Sequence, residues 1–104
     1  MVDALATPGI DVRWLRVGTV IFVETESYLY ELTVTHPGHG LVTVNSSDPV
    51  LREAPLGQLV QSWVGKGLVM EIRFSNGTYQ SPAVSSVAIK GRREDGTPWS
   101  YDVC

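Results

Sequence analysis

Residues Gly18–Val34, G-T-V-I-F-V-E-T-E-S-Y-L-Y-E-L-T-V, leave this chain few ways to fold. Apolar and polar residues alternate on both sides of a polar centre, which is the period of two half-buried strands and not that of a helix. With Glu26-Ser27 as the tip of a hairpin, Val23 lies opposite Tyr30 and Ile21 opposite Leu32. Thr25, Tyr28 and Val34 join them on one face, because side chains alternate along a strand. The other face carries Glu24, Glu31, Thr33, Val20, Phe22 and Leu29 and is mixed. A slip of one residue would turn the apolar face to water, so the pattern holds the register.

Two further hairpins follow. Asn76-Gly77 is a strong turn signal, since both residues tolerate positive φ. Pairing outward from it predicts Phe74 against Tyr79, Ile72 against Ser81 and Met70 against Ala83. Glu71, Arg73, Ser75, Thr78 and Gln80 then form a polar face, and Pro82 demands an edge or a bulge. Val84–Lys90 and Thr97–Val103 flank Arg93-Glu94-Asp95-Gly96, a third hairpin with Asp95-Gly96 at its tip.

The connecting stretches are less regular. Val12–Val17 is read as a short strand on weak alternation. Thr35-His36-Pro37-Gly38-His39-Gly40 is a turn on composition, followed by a strand over Leu41–Ser46. A two-residue turn at Pro37-Gly38 would put Val42 and Val44 on the wrong face. An odd-length loop centred on Gly38, with a bulge, restores the match. Ser47–Gly57 reads as an irregular crossing. Leu56, Leu59, Val60, Trp63 and Val64 have the spacing of an amphipathic helix, but Gly57, Gly65 and Gly67 oppose it; a short helix and an irregular strand both stand.

The length of 104 residues suits one domain with one core. Residues 1–11 are expected to be a flexible arm and 12–104 a single domain. Six or seven short antiparallel strands, with at most one short helix, predict an all-β fold. A small barrel, SH3-like or related, is the first choice because closure removes exposed strand edges, and a two-layer sandwich is the second.

Several residue groups recur in a known pattern. They are Gly18, Val23-Glu24-Thr25, Tyr30-Glu31-Leu32 and Val34, then Trp63-Val64-Gly65, Gly67, Met70-Glu71, Phe74, Ser81-Pro82, Val84 and Ser86-Val87. In these the chain resembles a group of small bacterial β-domain proteins of unassigned function, over roughly residues 18 to 89. The resemblance implies a stand-alone bacterial β-domain and brings no activity, cofactor or catalytic residue with it.

Charge and chemistry narrow the function. With 11 acidic and 8 basic side chains the net charge is −3. Such a chain is not a general polyanion binder, and any nucleic-acid surface must be local. One cysteine, Cys104, excludes an internal disulfide. No run reaches the ~18–20 apolar residues of a membrane span, and the first residues lack a signal-peptide pattern; a cytoplasmic location is expected. His36 and His39 are two imidazoles where zinc needs three or four ligands. Cys104 has no evident base, Glu24, Glu26 and Glu31 read as surface charge, and Gly65-Lys66-Gly67 is too short to cradle phosphates.

No catalytic set, metal or cofactor is therefore expected, and the chain reads as a binding module. Its partner is another protein or a second copy of itself; the alternative is a nucleic acid or nucleotide phosphate. Two surfaces are candidates. Trp14, Tyr28, Tyr30 and Trp63 would form an aromatic groove, although Tyr28 and Tyr30 alternate with core residues. The other is the last hairpin, where an Asp95-Gly96 turn sets Arg92 across from Trp99 and Lys90 across from Tyr101. Those four would share one outward face, two cations beside two rings.

Overall fold

The computed structural model describes residues 9–51, 56–60, 63–75 and 77–103. Its strands are β1 (Gly9–Asp11), β2 (Val20–Thr25), β3 (Leu29–His36), β4 (Leu41–Ser46), β5 (Leu56–Leu59), β6 (Trp63–Gly65), β7 (Val69–Phe74), β8 (Gly77–Arg92) and β9 (Pro98–Asp102). Hydrogen bonding runs β2-β3-β4-β5-β7-β8, and β8 pairs back onto β2, so six antiparallel strands close a ring. The fold is a small all-β barrel. β9 is added to β8 outside the ring, and β1 pairs with β6 as a separate two-stranded ribbon. Among the described residues no helix is long and apolar enough to cross a membrane.

The first hairpin forms as its alternation demands. Val23 pairs with Tyr30 and Ile21 with Leu32, and all four are buried. Thr25 closes the tip: its hydroxyl accepts from the Ser27 and Tyr28 backbone N–H groups and donates to the Tyr28 carbonyl. The next connection is the odd-length loop. Val34 pairs with Val42, with a bulge at the end of β3, and Pro37–His39 makes a single 3₁₀ turn ending on Gly40. Val42 and Val44 consequently reach the core.

Inward residues of all six strands meet there, including Leu59 from β5, Met70 and Ile72 from β7, and Val84, Val87 and Ile89 from β8. Val12 and Leu51 join them from the connections, and Val64 from β6. β8 keeps both ends of its length inward by two bulges. Glu24 pairs with Ser86 and Thr25 with Val84, so Ser85 is the extra residue, and its hydroxyl donates to the Glu24 carbonyl at 2.8 Å. With a second insertion at Pro82, where Val69 pairs with Ala83 but Glu71 with Gln80, this bulge lets a 16-residue strand pair with β7 first and β2 later.

Two expectations for the connecting stretches change, and an open alternative is resolved. Val12–Val17 is not a strand: Val12–Trp14 forms a 3₁₀ turn. The Asp11 carboxylate accepts from the Arg13 backbone N–H and guanidinium, offering the backbone a local alternative to extension; these bonds hold the Asp11 carboxyl below the usual carboxylate range. Gly9–Asp11, assigned to the arm, pairs with β6; residues 1–8 lie outside the described residues. The helix-or-strand alternative resolves to strands, with β5 and β6 in place of a helix and residues 61–62 outside the described set.

The second hairpin is displaced by two residues. Phe74 pairs with Gly77 and Ile72 with Tyr79, not Ser81. Gly77 thus starts the returning strand, at φ +143°. A shift of two preserves which face each side chain takes, so Met70 and Ile72 still point inward and Arg73 and Thr78 outward. Buried polar contacts hold this register. The Tyr79 hydroxyl donates to Asp48 Oδ2 at 2.5 Å and meets the Tyr30 hydroxyl at 2.6 Å. Asp48 Oδ1 accepts from the Val50 backbone N–H, which ties the crossing after β4 to the barrel. At the Pro82 bulge, the Ser81 hydroxyl takes the Met70 N–H that a ladder bond would otherwise satisfy.

Candidate ligand-binding groove

Strands of unequal length create the site. The last β2–β8 pair is Val20 with Lys90, whereas β8 continues against β9 to Arg92 opposite Pro98. The tip of the β8–β9 hairpin therefore overhangs the start of β2. Trp14–Thr19 crosses that end of the barrel before entering β2, anchored where the Gly18 N–H donates to the Val34 carbonyl and the Val34 N–H to the Thr19 carbonyl. Between hairpin and crossing lies an open groove of about 1090 Å³. Trp14, Leu15, Arg16 and Val17 line one side, and Lys90, Arg92, Arg93, Pro98 and Trp99 the other.

The register of this hairpin corrects the expected face. Gly96 N–H donates to the Arg93 carbonyl and Arg93 N–H to the Thr97 carbonyl, so Glu94-Asp95-Gly96 is a three-residue loop with Gly96 at φ +87°. That is a turn followed by a left-handed residue, which glycine adopts without a Cβ clash. Asp95 supports it by accepting from the Thr97 N–H, and this holds its carboxyl below the usual range. An odd-length loop moves the pairing by one. Trp99 lies opposite Gly91 and Tyr101 opposite Ile89, while Lys90 faces Ser100 and Arg92 faces Pro98.

Lys90, Arg92, Trp99 and Tyr101 consequently do not share one face. Lys90 and Arg92 point outward as expected. The Lys90 ammonium sits 4.5 Å from the centroid of the Phe22 ring, and the Arg92 guanidinium donates to the Gly96 carbonyl at 3.1 Å. Trp99 is half-buried against the core, and Tyr101 is exposed beside Ile89 but does not line the groove. The overhang nonetheless reunites Lys90, Arg92 and Trp99, since residues of either strand face reach its rim.

It also adds three residues not foreseen there: Trp14, Arg16 and Arg93. The W-L-R run and the Arg92-Arg93 pair were visible as sequence, but a turn, not a strand, places the first of them. Trp14 is 83% exposed. Arg16, Lys90, Arg92 and Arg93 are four of the eight cationic side chains of the chain, and Glu94 is the lone carboxylate among the described lining residues. Among the described residues the lining includes no His or Cys; what it offers is positive charge and the faces of indoles.

Gly91 seats Trp99. A Cβ there would lie 2.6 Å from Trp99 Cζ2, so Gly91→Val should drive the indole off the strand. The expected cost is about 1–3 kcal/mol, the range for overpacking, with a changed near-ultraviolet circular dichroism signal. An unaltered signal and melting temperature would show that Trp99 does not rest on Gly91.

The other candidates do not assemble. Tyr30 is buried, with Tyr28 edge-on to it at 6.5 Å between ring centroids, so these two are not walls of an aromatic groove with Trp14 and Trp63. Glu24 pairs with Leu29 and Glu31 with Phe22. His36 and His39 are exposed, and among the described residues no three His, Cys, Asp or Glu side chains gather to hold a metal. Cys104 lies outside the described residues. No protein-family model matches the chain, and neither does any curated protein or solved structure.

Proposed function

We propose that this chain is a non-catalytic β-barrel module that binds an anionic partner in the groove under the β8–β9 overhang. One observation carries the reading: half of the lysines and arginines of a chain with net charge −3 line a single open groove. Dispersed charges would leave the surface negative on average. Gathered, they make a local positive field that attracts anions despite the overall balance. Two indoles in the same lining add surface that is costly to leave in water without a ligand.

Inorganic polyphosphate tests the reading, because it supplies charge and nothing else. Wild-type protein should bind it at low ionic strength and release it as salt rises. A double variant, Arg16→Glu with Arg92→Glu, should lose binding while melting like wild type, since both side chains are exposed. Wild-type protein that does not bind, or a double variant that binds equally well, overturns the proposal.

A further inference from the structure

We infer that the anionic partner is single-stranded nucleic acid, with Trp14 as the surface on which a base stacks; this rests on the groove being the anion site. The first reason is the presentation of Trp14. Its backbone is held in a 3₁₀ turn by the Asp11 cap and by the Leu15 N–H donating to the Val12 carbonyl at 3.0 Å. A rigid turn thus keeps an almost uncovered indole at the rim of a cationic groove. The second is the placement of charge. Arg16 from the crossing and Lys90, Arg92 and Arg93 from the hairpin border the same groove, and several cations suit a chain of phosphates better than a single one.

Size points the same way. At about 1090 Å³ the groove matches the roomiest small-ligand pockets and is open to solvent, so it leaves space for a strand to pass through. A duplex offers the charge but keeps its bases stacked on one another. An acidic peptide offers the charge without a planar ring for each unit. A single strand supplies both, and base stacking on aromatic side chains is tolerant of sequence.

The experiment compares four probes. They are a labelled oligothymidylate of about 12 nucleotides, within the usual span of single-strand sites, a duplex of equal length, polyglutamate and inorganic polyphosphate. The oligothymidylate should bind tightest and quench tryptophan emission. Its affinity should fall roughly 50-fold between about 50 and 200 mM salt if all four cations neutralise phosphates. Trp14→Ala should weaken it about tenfold, the effect of one lost base contact, and Trp14→Phe should recover most of that loss, while neither alters polyphosphate binding. Duplex or polyglutamate binding as tight as that of the oligothymidylate, or an oligothymidylate affinity indifferent to Trp14→Ala, overturns the inference and leaves the anion site standing. Failure to bind polyphosphate overturns both.

Discussion

Val23→Asp should leave the chain unfolded, while Glu24→Ala, one residue along, should stay within ~0.5 kcal/mol of wild type. Val23 is fully buried and pairs with Tyr30 on one side and Val87 on the other, so it sits on the seam where β8 closes the barrel onto β2. The substitution forfeits roughly 1.5–3 kcal/mol of burial and brings in a carboxylate with no partner, whose burial costs more again. Single domains have about 5–15 kcal/mol in total. Glu24 faces solvent, and its carboxylate accepts a 3.1 Å bond from the Ser86 hydroxyl. Equal melting temperatures for the two variants would mean that this face assignment is wrong.

Tyr79→Phe should cost about 1–3 kcal/mol at neutral pH, the range for leaving a buried polar group without its partner. It removes the donor to buried Asp48 and the hydroxyl that meets Tyr30, while the ring and its packing remain. The same residues make stability fall in alkali. Burial, and hydrogen bonding to Asp48, push the Tyr79 hydroxyl well above its ordinary pKa of 10.0, and burial likewise raises Tyr30. As pH climbs past about 10 the unfolded tyrosines ionise and the folded ones do not. The unfolded state then binds fewer protons, so unfolding free energy drops with rising pH, and the contribution is fully present only below that point. Urea denaturation at pH 7 and above pH 10 should show lower stability and a shallower alkaline loss in the Phe variant. Identical curves for the two proteins would mean that the Asp48–Tyr79–Tyr30 chain contributes nothing.

These two sites differ in how visible they were. Val23 belongs to a stretch whose alternation names both its face and its partner. Tyr79 also alternates correctly, but its contact with Asp48, 31 positions earlier, has no local signature. Buried polar pairs of this kind join elements that only the closed barrel brings together. The register of the second hairpin, displaced by two residues from the one Asn76-Gly77 implied, sets Tyr79 where it meets Asp48.

Period-two alternation in the sequence determined the class of fold, the β2–β3 pairing, the parity that sends Val87 and Ile89 inward and Lys90 and Arg92 outward, and the odd loop around Gly38. Each of these is a local matter of which face a side chain takes. The tertiary structure alone decided the groove. Its register turned on a three-residue loop where a two-residue one was equally compatible with Asp95-Gly96, and that single residue separated Trp99 from Arg92 across the strand. Its walls came from an overhang, because β8 runs on past the start of β2, and from a turn at Trp14 stabilised by Asp11. Alternation within a strand records what lies above and below it. It carries no record of how far neighbouring strands extend past one another, and the candidate site is made of that difference.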